Sequence, residues 1–172
     1  HGEEFYDHGL LGHGSQLHDE TIRVPLFVVP PGALAGDAGL DLRETVSTAG
    51  LFAEILDLLD VPFDAASARP PLRRSGGVAF SETNKGIALD GQGDILRRPL
   101  RAIRTDDRLL VSRAVDDGGH VEWELFDLVA DPGALAPQPA EGAAAERLLE
   151  AMRRALQWSE EHRAAERAPG GD

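Results

Sequence analysis

The chain has 172 residues, 42% of them hydrophobic and 27% charged, a balance that suits a folded domain or part of one. Thirty acids against 17 bases give a net charge of −13, which repels phosphate backbones and anionic lipid and argues against nucleic acid or a membrane surface as partner. No cysteine is present, which excludes disulfides and thiolate chemistry within the segment, and no apolar run approaches the ~20 residues needed to span a bilayer.

In chain order, residues 1–20 are dense in Gly and His: His1, His8, His13 and His18 alternate with Gly2, Gly9, Gly12 and Gly14. Such a stretch suits a loop folded tightly around a site. The apolar, β-branched run Val24 to Val29 predicts a short buried strand, stopped by Pro30-Pro31-Gly32. After a polar connection over 32–45, a helix is predicted from Ser47 or Thr48 to Leu59, with Leu51, Phe52, Ile55, Leu58 and Leu59 as its apolar stripe. Residues 62–77 carry Pro70, Pro71, Gly76 and Gly77 and read as a surface linker.

Four short strands are predicted next, over Val78–Ser81, Leu100–Arg104, Arg108–Ser112 and Val121–Phe126, the last two joined by a turn at Asp116 to Gly119. Glu82, Thr83, Asn84 and Lys85 are expected to leave the first strand as a solvated turn. Alternation puts Val121, Trp123 and Leu125 on one face of the last strand and Phe126 on the other. A terminal helix over 142–167 is expected to bury Leu148, Leu149, Met152, Ala155, Leu156 and Trp158, with Glu160, Glu161, Arg163, Glu166 and Arg167 in solvent. Phe126 is expected to find its cover on that helix, and the Ala168 to Asp172 tail is expected to fray.

The chemistry-bearing residues cluster at the start. His1-Gly2-Glu3, then His13-Gly14, then Leu17-His18-Asp19-Glu20-Thr21-Ile22-Arg23-Val24-Pro25-Leu26, stand in an order that resembles the sulfatase family of the alkaline-phosphatase superfamily. Two further blocks carry the resemblance: Val46 to Pro62, ending Leu56-Asp57-Leu58-Leu59-Asp60-Val61-Pro62, and Arg101 to Thr105 with Trp123 to Leu128 and Asp131-Pro132-Gly133. Together they cover most of residues 1–133. The resemblance implies an α/β fold. Residues 1–75 would be the C-terminal part of an alkaline-phosphatase-like α/β/α domain, and 76–172 a small antiparallel β-sheet subdomain with a terminal helix.

The resemblance also implies roles. His1 would be a ligand of a divalent cation, Ca2+ first and Mg2+ or Mn2+ as alternatives, with an Asp immediately before it. His13 would be the catalytic and substrate-binding group, offsetting charge on the oxygens of a sulfate ester. The gap from His13 to Arg23-Val24-Pro25 is one residue longer than in relatives bearing Lys there, and His18 replaces the usual Tyr. Glu3 would orient neighbouring groups and Glu4 would be solvated. Asp7 and His8 would be supporting or surface groups, His18 structural or cleft wall, and Arg23 an ion-pair partner of Asp19 or Glu20.

The family's nucleophile, a formylglycine made within a Cys/Ser-x-Pro-x-Arg motif, has no counterpart here. With a start at His1 rather than Met, the chain is expected to be the C-terminal fragment of a sulfatase and inert without its N-terminal part. One His cannot hold a hard cation that wants several oxygens. A phosphodiesterase or phosphonate monoester hydrolase of the same superfamily, and a non-catalytic binding module on the same fold, are the alternative readings. The family's habit gives a lean toward a periplasmic or extracellular location.

Overall fold

The computed structural model describes residues 1–29, 44–64, 69–70, 72, 76–89, 95–116 and 118–167, without the side chains of 88–89 and 163–167. The expected stop at Pro30 to Gly32, most of the polar connection, Asp117 of the hairpin turn, the side chains of Arg163, Glu166 and Arg167 and the C-terminal tail lie outside the described residues.

The chain opens with a small antiparallel hairpin, β1 (Glu4–Phe5) with β2 (Leu11–Gly12), followed by the one-turn helix α1 (Asp19–Ile22). A 3-10 turn over Thr48–Gly50 leads into α2 (Leu51–Leu58). Then β3 (Ala79–Leu89), β4 (Ile95–Arg104), β5 (Arg108–Ala114) and β6 (Val121–Asp127) form a four-stranded antiparallel meander in sequence order. The terminal helix α3 runs over Gly142–Arg167. The protein is thus a mixed α/β chain with antiparallel sheets and a C-terminal helix. No helix among the described residues is long and apolar enough to cross a membrane.

All four predicted strands form, and β3 and β4 run further than expected. Glu82 to Lys85 stay inside β3 rather than leaving as a turn. The pairing passes from Thr83↔Leu100 to Gly86↔Arg98, so Asn84 and Lys85 together stand opposite Pro99. Proline has no N–H for a ladder, and a bulge absorbs the missing bond. Gly86 completes the bulge, because a Cβ there would lie 2.7 Å from the Arg98 carbonyl oxygen and 2.8 Å from Leu100 Cβ.

The period-2 alternation gives the sheet two buried faces. Ile103, Leu110 and Leu125 stand in register across β4, β5 and β6 and pack against Ala145, Leu148, Met152 and Ala155 of α3. That 3-4-3 spacing is one helical face. On the opposite face Leu100, Ala102, Leu109, Val111 and Phe126 pack with Leu128, Ala134 and, from the N-terminal loop, Leu17 and Ile22. The expectation that α3 covers Phe126 is therefore corrected. The helix takes the Leu125 face, and the histidine loop takes the Phe126 face.

Three other expectations give way. Residues 24–29 form no strand, because a strand needs a ladder partner and none lies beside them among the described residues; Phe27 is 87% exposed. The apolar stripe of α2 is not its buried side. Ala53 and Glu54 are buried, whereas Phe52, Ile55 and Leu59 face outward. The stretch 62–77 is not wholly surface, since Leu72 is buried and the Arg69 guanidinium lies 3.9 Å from the Trp158 ring centroid.

Candidate functional site

The loop over residues 1–18 is fixed to the sheet by backbone and side-chain bonds. Thr83 Oγ1 donates to the Gly14 carbonyl at 3.0 Å, and the Ile87 amide donates to Ser15 at 3.3 Å. The Gly2 amide donates to the Thr21 carbonyl at 3.2 Å. A Cβ on Gly2 would stand 2.1 Å from the Glu20 carbonyl oxygen, so the residue after His1 must lack a side chain for the backbones to approach this closely. Thr83, within β3, thus reaches the loop.

This scaffold brings His1 and His13 together. Their ring centroids are 4.2 Å apart, tilted by 38°. The register Glu4↔Gly12 makes Glu3 and His13 the next facing positions of the hairpin. Glu3 Oε1 lies 2.6 Å from His13 Nδ1, which donates to it. His1 Nδ1 donates to the Gly2 carbonyl at 3.1 Å. One ligand atom each from His1, Glu3 and His13 fit within 4.8 Å of one another, all three residues being exposed. Calcium takes six to eight oxygens, and this donor set offers one carboxylate and two imidazoles. Oxygen ligands from other residues would be needed to hold that ion, whereas the set at hand matches the preferences of zinc-class ions.

Glu4, expected in solvent, is instead 1% exposed, and neither carboxylate oxygen has a hydrogen-bond partner among the described residues. Strand alternation explains it: Glu4 points inward from β1 and Phe5 outward, 74% exposed. Burial pushes the Glu4 carboxyl above its ordinary range, and the nearby Glu20 charge adds to the rise.

The remaining two loop histidines form a second, structural pair. His8 and His18 stack with centroids 3.7 Å apart and an 8° interplanar angle. His18 is buried and sits edge-on to Phe126, with centroids 5.5 Å apart. His8 Nδ1 faces Glu20 Oε1 at 2.5 Å, and Nε2 faces the carbonyls of Gly133 at 3.0 Å and Ala134 at 3.2 Å. His8 therefore ties the loop to the turn after β6.

Asp19 anchors α1 to β4. Its carboxylate accepts two 2.8 Å bonds from Arg104 Nε and Nη2. Burial alone would raise the Asp19 carboxyl, but the Arg104 guanidinium outweighs it and holds the group below its ordinary value. Arg23, expected as the ion-pair partner, reaches Asp19 only at 3.9 Å and is mostly exposed. Replacing Asp19 by Asn is expected to cost about 1–3 kcal/mol, since Asn keeps one oxygen for the guanidinium, loses the opposite charge and turns an NH2 donor toward the other N–H. Chemical denaturation measures it, and an unchanged midpoint would contradict the anchoring. Sequence reading missed Arg104 because the pair spans 85 positions.

Two grooves of about 600 and 660 Å3 lie elsewhere, one along α3 and one beside Asp19, Thr45 and Arg104. Neither is lined by His1 or His13.

No family model matches the chain, and no curated protein does. Among solved structures, a candidate sulfatase from Bacteroides thetaiotaomicron VPI-5482 is similar at 18% identity, with a TM-score of 0.42 over 71% of this chain and 26% of that one. The chain thus spans about a quarter of that protein's length.

Proposed function

We propose that this chain is the C-terminal portion of a metal-dependent hydrolase of the sulfatase family, acting on sulfate monoesters. The observation that carries the reading is the pairing of His1 with His13. They stand twelve positions apart in a motif order resembling the family, and the folded loop sets their rings 4.2 Å from one another.

In this reading His13 faces the ester. Protonated, it keeps Nδ1–H on Glu3 and donates Nε2–H to the ester, offsetting negative charge on the non-bridging oxygens; neutral, with Nδ1–H still on Glu3, its Nε2 only accepts. Glu3, bonded to Nδ1, fixes the ring's orientation. His1 contributes one ligand to a divalent cation whose oxygen ligands come from the N-terminal part of the whole protein. The formylglycine nucleophile belongs to that part as well. A bound cation would polarise the ester oxygens as a Lewis acid.

The test compares the whole gene product with the 172-residue chain on aryl sulfates, aryl phosphonate monoesters and aryl phosphodiesters. The isolated chain is expected to turn over none of them, with or without calcium or magnesium. The whole protein is expected to favour the sulfate and to lose about 10²- to 10³-fold in kcat on His13→Ala. Preference for a phosphorus ester would move the reading to the phosphonate hydrolases. Turnover by the isolated chain, abolished by His13→Ala, would overturn the fragment reading.

A further inference from the structure

We infer that His1, Glu3 and His13 form a binding site for a borderline divalent ion of the zinc class, complete enough to bind without residues from outside this chain. The inference does not rest on the hydrolase reading, because it concerns only these three side chains.

The donors already converge, their ligand atoms lying within 4.8 Å of one another. Around one tetrahedral zinc, with Zn–N and Zn–O near 2.0–2.2 Å, donor atoms stand roughly 3.3–3.6 Å apart. The 2.6 Å contact between Glu3 and His13 opens slightly if Nδ1 is the ligand atom, and no separation has to close by more than about 1.5 Å. All three residues are exposed, so side-chain rotation alone makes the change.

The backbone needs no rearrangement. Glu3 and His13 flank a paired hairpin, and His1 is held by the bond from Gly2 to Thr21. The chemistry of the set also selects the ion. Two imidazoles and a carboxylate, with water filling the remaining position, form the donor set of an open zinc site. They offer too few oxygens for calcium or magnesium. An ion bound here would occupy His13 and so compete with any anion that the same ring receives.

Isothermal titration with Zn2+, and visible absorption with Co2+ as a spectroscopic substitute, test the site. The chain is used with a short Gly-Ser lead before His1, so that the α-amino group cannot serve as donor. One equivalent of Zn2+ is expected to bind, Co2+ to give the intense bands of a tetrahedral ion, and Ca2+ to give no heat at the same concentrations. His13→Ala and Glu3→Gln should each weaken Zn2+ binding by about tenfold or more, whereas His120→Ala, on the far hairpin, should leave it unchanged. Circular dichroism checks that each variant is folded. No heat with Zn2+, a Co2+ spectrum that stays that of the hydrated ion, or full affinity in both His13→Ala and Glu3→Gln would overturn the site. The readout needs no turnover, so the metal site and the hydrolase reading can fail separately.

Discussion

Phe126→Ala is expected to lower stability by about 3–5 kcal/mol and to free the histidine loop, whereas Met152→Ala, costing about 2–5 kcal/mol, frees the terminal helix instead. Phe126 is 3% exposed and is the largest side chain in the cluster it shares with Leu17, Leu109 and Val111. Its removal also takes away the edge-on contact that seats the His18 ring. Met152 is 1% exposed and packs with Ile103, Leu110 and Leu125 on the other face. The two side chains share no cluster, so their effects should add to within about 0.5 kcal/mol in the double variant. Urea denaturation gives the energies, and amide exchange gives the location. Faster exchange over residues 13–22 in Met152→Ala, or an unchanged midpoint in Phe126→Ala, would show that the faces are assigned wrongly.

That assignment marks where sequence reading stops. Alternation along Val121 to Phe126 correctly divides the residues between two faces, because a strand's side chains have a period of two. It does not say which distant segment covers which face. The terminal helix is the nearest apolar element in sequence, yet the Leu17 and Ile22 loop covers Phe126 from more than 100 positions away. Residues 24–29 show the same gap from the other side. Their β propensity is local, but a strand exists only where a neighbour supplies hydrogen bonds, and no such neighbour lies among the described residues. The His1 and His13 pair was legible from motif order, and both fall in one cluster. Glu3 was expected to orient neighbouring groups, but His13 as its partner was not legible, since that depends on a hairpin of two-residue strands too short to read from pattern. Glu4 was misread for the same reason, one residue of register deciding which of two adjacent acids goes inside.

The stacked histidines should make stability depend on pH in opposite senses on the two sides of pH 6.5. His8 faces only acceptors: a carboxylate oxygen at Nδ1 and two carbonyl oxygens at Nε2. Both nitrogens can donate only in the imidazolium form. Burial pulls the His8 pKa down, but the Glu20 carboxylate and the two carbonyls outweigh it and raise the group above 6.5. Its stabilisation is therefore fully present below pH 6.5 and is lost as pH rises through the raised value. His18 behaves in the reverse sense. Burial, reinforced by the His8 and Arg113 charges against a smaller opposing pull from Asp19, pushes its pKa from 6.5 down to about 4. The folded protein keeps this ring neutral while the unfolded chain protonates it, so stability falls as pH drops from 6.5 toward 4. The shift corresponds to about 3 kcal/mol at full extent. Glu4, whose carboxyl is raised by burial and Glu20, changes charge beside His8 in the acid range, so the two histidines must be varied separately. Urea midpoints measured from pH 4 to 9 test the pair. His18→Phe keeps a ring that can stack on His8 and removes the proton site; because His18 Nδ1 has no hydrogen-bond partner among the described residues, no bond at that atom is lost. This variant is expected to flatten the decline between pH 6.5 and 4, and His8→Gln to flatten the decline as pH rises above 6.5. An acid decline in His18→Phe as steep as in the parent would mean that the buried ring is not what limits stability there.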